Sequence, residues 1–220
     1  MVELDFAITG AEVERFAVSP LLQFDLRISN KTPTLPIANV MLNCQIRIEP
    51  TRRRYEPADH DRLSDLFGEP ARWSQTLRGF LWTHVTAAVP GFDADCAFRL
   101  PVPCSFDFNI AATKYFHGLG DGDVPLLFLF SGTVFYRDAD DQLQIMQISW
   151  NKESAFRLPV GTWRDLMQSY YPNSTWLRID HDVFEQLYRY KRRSGLATWE
   201  QALQSLLDDR KGSPQVEVQR

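Results

Sequence analysis

Residues 41–55 read MLNCQIRIEPTRRRY and combine two patterns that decide how the chain is built. Apolar and polar residues alternate up to Glu49, which is typical of a β-strand with one buried face. Three successive arginines follow the strand. One face carries Leu42, Cys44, Ile46 and Ile48, and the other carries Asn43, Gln45, Arg47 and Glu49. The stretch therefore predicts a half-buried strand that delivers positive charge to the edge of a sheet.

Further strand patterns fill most of the first two thirds of the chain. Each is short, rich in β-formers and bounded by turn residues. They cover residues 4–8, 24–28, 79–89, 95–100, 106–110, 126–136 and 143–150. The polar residues 137–141 separate the last two, so residues 126–150 predict a hairpin.

Helical patterns are concentrated at the C-terminal end. One short helix is expected near 57–67, with Gly68 as its stop. Thr162 and Asp180 are candidate N-caps of two later helices, and Thr198 to Gln201 fits a capping box for a fourth.

Strands followed by helices indicate an α+β fold. We predict an antiparallel β-sandwich or strongly bent sheet over residues 1–158, followed by a C-terminal helical layer over 159–209 that packs on the sheet. Residues 210–220 are expected to form a polar tail. Since no linker is evident, the chain is expected to form one compact unit.

Composition and charge narrow the class of protein. The chain has 220 residues, 44% of them hydrophobic, and a net charge of −4, which argues against a general nucleic-acid binder. The N-terminus shows no signal-peptide pattern, and the apolar run 124–130 is too short to cross a bilayer. Three cysteines without a CxxC pair fit reduced thiols. We therefore expect a cytoplasmic protein with no membrane and no nucleic-acid partner.

The arginines are the candidate binding residues. Arg47, Arg52, Arg53 and Arg54 could together bind a phosphate, a carboxylate or an acidic partner surface. The alternative is a solvated strand end, partly neutralised by nearby acidic residues, with one arginine clamping a neighbouring carboxylate.

No catalytic residue, metal site or cofactor is predicted. The histidines at 60, 84, 117 and 181 lack zinc-ligand spacing. Cys104 with His84 or His117 as a base remains an alternative, against a buried core thiol. Residues 117–123, HGLGDGD, fit neither a phosphate loop nor an EF-hand and predict a turn between strands.

Aromatic residues give two further expectations. Those in the middle of the chain, including Tyr115, Phe116, Phe128 and Phe130, either line a ligand pocket or fill the core. Those in the C-terminal helices, such as Tyr188 and Trp199, lie among basic residues and are the best candidates for a partner interface.

Several blocks resemble an uncharacterised bacterial domain-of-unknown-function family of about this length, over roughly Leu4 to Leu207. The blocks are CQIRIEPTRRRY, LFGEPARW, FLWTHV, LPVPCSFDFNIAATKYFHGL, PLLFLFSGTVFY and RLPVGTWRDLMQSYYPNSTWLR. The resemblance implies genes placed near nickel–iron hydrogenase genes, and hence an accessory role in hydrogenase expression, maturation or assembly. The chain lacks the His-rich tract or cysteine pairs of a nickel carrier, which favours handling of protein over handling of metal.

The leading hypothesis is thus a non-catalytic accessory or protein-interaction protein, with a protein partner such as a hydrogenase component. Exposed sheet edges would also allow a homo-oligomer. The alternative is a small-molecule binding domain with an aromatic pocket and an arginine that anchors an anion.

Overall fold

The computed structural model describes residues 2–104, 110–174 and 179–211. Within these ranges the chain forms eight strands, six α-helices and two short 3₁₀ turns, so the predicted α+β class is confirmed. The strands are β1 (Leu4–Val13), β2 (Leu21–Asn30), β3 (Ile37–Ile48), β4 (Phe80–Phe92), β5 (Asp95–Pro103), β6 (Asp123–Arg137), β7 (Leu143–Gln147) and β8 (Glu153–Pro159). The helices are α1 (Pro57–Phe67), α2 (Trp73–Thr76), α3 (Ile110–Gly118), α4 (Val160–Tyr170), α5 (His181–Arg193) and α6 (Trp199–Lys211).

The chain divides into two compact units, Met1–Ser174 and Thr175–Arg220. All eight strands lie in the first unit, together with α1 to α4, and the second unit contains α5 and α6. The expectation that residues 159–209 act as one helical layer on the sheet, within one compact unit, stays a prediction.

Two antiparallel sheets form the first unit. One sheet has the strand order β1-β2-β5, and the other has the order β4-β3-β6, with β7 and β8 both paired to the far edge of β6. The stretch 41–55 supplies most of β3, an interior strand in which Cys44 lies opposite Val85 of β4 and Phe130 of β6. The predicted alternation is confirmed, because Leu42, Cys44, Ile46 and Ile48 are all buried.

Aromatic rings join the two sheets. The Phe24 ring of β2 meets the Phe128 ring of β6 edge to face, with centroids 5.0 Å apart, and Phe6 of β1 stacks on Phe130 at 4.7 Å. Such pairs add to the hydrophobic stabilisation that the burial of large rings provides. The core of the sandwich therefore lies between these sheets.

Polar contacts also join β1 to the far end of the first unit. The Ile8 amide donates to Ser154 Oγ at 3.0 Å, and Lys152 Nζ donates to Asp5 Oδ1 at 2.9 Å. The ammonium group of Lys152, followed by that of Lys31, lowers the pKa of Asp5. The first strand is thus anchored by residues that lie almost 150 positions further along the chain.

Gly132 occupies the point where the edge partner of β6 changes from β8 to β7. Its φ of +131° is unfavourable for L side chains, and a Cβ there would lie 2.0 Å from the carbonyl oxygen of Met41. The Gly132 carbonyl accepts the amide of Ile148, the residue that follows β7. A glycine at this position allows one long strand to carry two partners on one edge.

The predictions for α1 and for the hairpin are confirmed. Helix α1 spans residues 57–67 and ends at Gly68, which has φ of +74°. Strands β6 and β7 pair as a hairpin around the polar residues 138–142.

Three local expectations are wrong or incomplete. Ile110 begins helix α3 instead of ending a strand, and the rest of the expected 106–110 strand lies outside the described residues. Residues 117–118 end that same helix. Helix α4 begins at Val160 with Pro159 as its N-cap, ahead of the expected cap Thr162, because the Val160 amide already donates to the Gly122 carbonyl. Strand β8 was not predicted.

The second unit follows its helical signals closely. The Asp180 carboxylate accepts the amide of Asp182, which caps α5 as expected. Thr198 Oγ1 accepts the amide of Gln201, and Gln201 Oε1 accepts the amide of Thr198, so the capping box of α6 is confirmed. Residues 210–211 of the predicted tail belong to the end of α6, and the rest of the tail lies outside the described residues. Across the described ranges, no helix is both long enough and apolar enough to span a membrane.

Candidate functional site

The end of β3 carries the arginines to one end of the second sheet. The strand stops at Ile48, a 3₁₀ turn covers Pro50–Arg52, and α1 begins at Pro57. Both prolines lie at helix starts, where the missing amide hydrogen has no helical partner to lose. The sequence thus places Arg52, Arg53 and Arg54 on a short connection held at both ends.

Arg53 is a buried clamp. Its side chain is 8% exposed, and its guanidinium Nη2 lies 3.6 Å from the carboxylate of Asp59, which is 1% exposed. The same group donates to the carbonyl oxygens of Asp123 (3.0 Å), Asp121 (3.1 Å) and Arg54 (3.2 Å) and lies over the Tyr55 ring. This is the clamping role that the sequence analysis gives as an alternative for one arginine.

Asp59 completes the clamp from the other side. Its Oδ1 accepts the Gly120 amide at 2.8 Å, and its Oδ2 accepts the Glu56 amide at 3.3 Å at the start of α1. A buried carboxylate is costly unless it is paired and hydrogen-bonded, and here it is both. Arg53 and Asp59 therefore tie the β3–α1 connection to the α3–β6 connection.

Beside this clamp lies an open cleft of about 510 Å³, here called the arginine cleft. Arg157 of β8 joins it, and its Nη2 donates to the Arg52 carbonyl oxygen at 3.1 Å. The lining residues are Thr51, Arg52, Arg53, Arg54, Gly122, Asp123 and Arg157. Two of the exposed arginines come from the predicted segment and the third comes from a strand about 100 residues away.

Arg47 belongs to a different environment. Its Nε lies 3.4 Å from Glu49 Oε1, and its Nη2 donates to the Gly79 carbonyl oxygen at 3.4 Å. Of the four predicted binding residues, the structure brings Arg52, Arg53 and Arg54 to one cleft and leaves Arg47 outside its lining. That the four bind a ligand or partner stays a prediction.

Two of the three cysteines, Cys44 and Cys104, are buried core thiols. Cys104 is 3% exposed, its Sγ donates to the Val102 carbonyl oxygen, and burial raises its pKa to about 12. Burial also raises the pKa of Cys44 to about 12. The burial of Cys104 confirms its interpretation as a core thiol, and its raised pKa disfavours the thiolate that a nucleophile requires. In the described ranges, no three His, Cys, Asp or Glu side chains are grouped as metal ligands would be.

The aromatic middle of the chain is packed core. Tyr115, Phe116, Phe128 and Phe130 are fully buried or nearly so. The Tyr55 and Tyr115 hydroxyls share a hydrogen bond of 2.8 Å, and burial raises the pKa of both groups. For these residues, the core-packing interpretation is confirmed.

The second unit exposes its rings instead. Phe184, Tyr188 and Trp199 form one cluster, with Trp199 5.2 Å from Phe184 and 6.2 Å from Tyr188 between ring centroids. Lys191 Nζ lies 5.7 Å from the centre of the Trp199 ring, and the Arg192 guanidinium lies 5.8 Å from that of Tyr188. With the exposed apolar side chains around them they form the aromatic helical surface: Val183, Phe184, Tyr188, Trp199, Leu203, Leu206 and Leu207. Within it, an open cavity of about 480 Å³ is lined by Ile179, His181, Phe184, Leu187, Trp199 and Leu203.

A family profile spans nearly the whole length that carries these features, since it matches residues 1–215. The chain belongs to DUF6084, a family of unknown function. The expected membership of a family of unknown function is therefore confirmed. Among curated proteins, none matches the chain.

The first unit of the DUF6084 chain also has a groove of about 1030 Å³ between α1, α3 and α4, larger than the arginine cleft. Its floor is solid, because Phe116 and Trp163 stack with centroids 4.2 Å apart and both rings are buried. Two of its rim cations have partners: Lys114 pairs with Asp65, and Arg164 donates to the Leu119 carbonyl oxygen at 2.9 Å. The groove lining includes the carboxylates of Asp65 and Asp165, whereas the lining of the arginine cleft includes that of Asp123 alone.

Arg157 is the residue of the arginine cleft that the sequence pattern does not predict. A signal was present, because Ser154, Phe156 and Leu158 point inward while Glu153, Ala155 and Arg157 are exposed, with the period of a strand. Even so, no local pattern shows that β8 returns beside the 3₁₀ turn of residues 50–52.

Proposed function

We propose that this DUF6084 protein is a non-catalytic accessory protein that binds a protein partner through its aromatic helical surface. One observation carries the proposal: Phe184 and Tyr188 of α5 are each 41% exposed and contact Trp199, while basic side chains lie over two of the three rings. No described residue of α5 is fully buried.

Exposed aromatic residues mixed with arginine are the residue types that concentrate binding energy at protein interfaces. Tyrosine and tryptophan supply a large contact area with few rotatable bonds, so their ordering costs little entropy. The cavity at Phe184 and Leu203 gives an apolar anchor a place to insert. A flat polar surface would provide neither the aromatic contact area nor the cavity.

Charge defines the partner further. Arg189, Arg192 and Arg193 line a second concavity of about 330 Å³ on α5. A surface that combines apolar rings with these cations fits a partner segment carrying apolar anchors beside carboxylates. We therefore assign an acidic, amphipathic partner segment as the occupant.

The family resemblance adds a candidate for that partner. It supports a bacterial setting, action in the cytoplasm and a component of nickel–iron hydrogenase as the protein that is bound. Handling of protein instead of metal agrees with the lack of a His-rich tract or cysteine pair in the sequence.

The test is native mass spectrometry of the tagged protein purified gently from its own host, with peptide identification of any co-purifying protein. The variant Phe184→Gln with Leu207→Gln should lose the partner. The matched control is Leu143→Gln with Ile145→Gln, since Leu143 (57% exposed) and Leu207 (58% exposed) differ in unit but not in exposure.

We expect a single partner with a fixed stoichiometry that survives in the wild type and in the control pair. Identification of a hydrogenase component would support the finer assignment, and the same masses report whether the protein forms a homo-oligomer. Retention of the partner by the Phe184 and Leu207 variant, or a wild-type protein that carries none, would overturn the proposal.

A further inference from the structure

We propose that the arginine cleft of the first unit binds the phosphate group of a small molecule, with Arg52, Arg54 and Arg157 as its ligands. The cleft lies in residues 51–54, 122–123 and 157, so this inference is independent of the aromatic helical surface. It narrows the three ligand types that the sequence leaves open to phosphate, and it adds a binding residue, Arg157, that the sequence pattern does not suggest.

Uncompensated charge is the first argument. Arg53 is already paired with Asp59, whereas no carboxylate among the described residues lies within 4 Å of the guanidinium groups of Arg52, Arg54 or Arg157. The lining contains one carboxylate, that of Asp123, against these three free cations. The surplus of positive charge matches a phosphate dianion better than a single carboxylate.

Geometry is the second argument. Arginine presents a planar fork of five N–H donors that suits the oxygens of a phosphate group. Arg157 uses one of its nitrogens to hold the Arg52 carbonyl oxygen at 3.1 Å, which fixes both residues beside each other and leaves further donors free. Two separate chain segments therefore converge on one position.

Rigidity is the third argument. The backbone that carries Arg52 and Arg54 is fixed by the buried Arg53 side chain, which bonds to the carbonyl oxygens of Asp121 and Asp123 on the opposite wall. Both walls of the cleft are thus joined before any ligand arrives. Binding groups that are already in place avoid much of the ordering cost of association.

The size of the site favours a small ligand. A cleft of about 510 Å³ has the volume of a small-molecule site, and the chain as a whole is negatively charged at −4, which disfavours long polyanions. We therefore assign a phosphorylated small molecule instead of a nucleic acid.

The probe for the test is inorganic pyrophosphate, titrated calorimetrically into the full chain at constant ionic strength. We expect saturable binding at one site, about tenfold weaker or more in Arg157→Gln, because one charge-assisted contact is lost. The matched control is Arg15→Gln, which removes the same charge from an exposed arginine outside the cleft and should leave the affinity unchanged. Arg157→Lys keeps the charge without the planar fork and should give an intermediate affinity.

Any of the following results would contradict the proposal. Absence of saturation, or equal losses in Arg157→Gln and Arg15→Gln, would show a general electrostatic effect with no defined site. Citrate binding as tightly as pyrophosphate would overturn the phosphate assignment in favour of carboxylates. Tighter binding of a short oligonucleotide than of pyrophosphate would overturn the assignment of a small molecule. Circular dichroism of each variant establishes that the fold is intact.

Discussion

In the first unit Phe24, Tyr115 and Phe128 are completely enclosed and touch other rings edge to face, whereas in the second unit Phe184 and Tyr188 leave 41% of their surface open. The same residue type thus serves two purposes. Enclosed rings stabilise the sandwich through hydrophobic burial and close packing. Open rings add little to stability but keep their contact area for another molecule. The difference separates the rings that stabilise the fold from those that the proposed partner would contact.

Truncating one ring in each unit should produce the largest difference in stability between an enclosed and an open ring. Phe128→Ala should lower the free energy of unfolding by about 3–5 kcal/mol, because it leaves a cavity between the sheets. Phe184→Ala should cost less than about 1 kcal/mol, because its ring is already in contact with water. Urea unfolding followed by circular dichroism measures both, and hydrogen exchange assigns each loss to its unit. Equal losses would show that Phe184 is part of a core.

Two neighbouring arginines of the first unit, Arg52 and Arg53, differ in burial in the same way. Arg53→Met should destabilise the fold by about 3–5 kcal/mol, because the buried Asp59 carboxylate would lose its cation. Arg52→Met, an equal loss of charge one position earlier, should change stability by no more than about 0.5 kcal/mol, because its side chain is exposed. Thermal unfolding of both variants under the same conditions provides the check. A small effect of Arg53→Met on the free energy of unfolding would contradict the role of Arg53 as a buried clamp beside the arginine cleft.

A smaller effect is expected at alkaline pH, where the half-buried Tyr55 of the first unit titrates. Burial raises the pKa of Tyr55 from 10.0 to about 12. Below pH 10 this tyrosine is protonated in the folded and unfolded chains alike and gives no pH dependence. Between pH 10 and about 12 the unfolded chain releases the proton first, so the free energy of unfolding falls, by up to about 1.4 kcal/mol per pH unit for one group.

Tyr55→Phe isolates this contribution. At pH 8 the variant should be less stable than the wild type by about 1 kcal/mol, because the hydrogen bonds to Pro50 and Tyr115 are lost. The difference should shrink between pH 10 and 12, since the variant lacks the titrating group. At pH 8, Tyr188→Phe in the second unit should differ little from the wild type. A Tyr55→Phe difference that stays constant up to pH 12 would contradict the role of burial.

Local patterns were enough to predict much of the fold. Alternation predicts β3, the polar residues 137–141 predict the β6–β7 hairpin, and cap residues predict the starts of α5 and α6, because these signals depend on near neighbours in the chain. Helix α3 was missed, and its first residue, Ile110, had been assigned to a strand. Gly132 gave no signal in the sequence, since its close approach to Met41 exists only after two distant strands pair.

The candidate site was predicted in part for the same reason. Three successive arginines are visible in the sequence, but nothing local distinguishes the buried Arg53 from the exposed Arg52 and Arg54. Arg53 differs from its neighbours because it pairs with Asp59 and donates to the carbonyl oxygens of Asp121 and Asp123. Those two carbonyl groups lie about 70 residues further along the chain. Arg157 depends on strand order, which residue patterns do not contain. In the second unit, by contrast, aromatic and basic residues are close in sequence, so their association was predictable.

The hydrogen bond from the Ile8 amide to Ser154 has a consequence for synthesis of the protein. The two residues are 146 positions apart, so β1 emerges from the ribosome long before the strand that anchors it. At translation speeds of about 5–20 residues per second, that interval is about 7–30 s. For most of this time β1 can pair only with β2, and the apolar side chains of these two strands stay open to water until Phe128 and Phe130 of β6 emerge. The nascent chain should therefore depend on a holding chaperone more than the finished fold does.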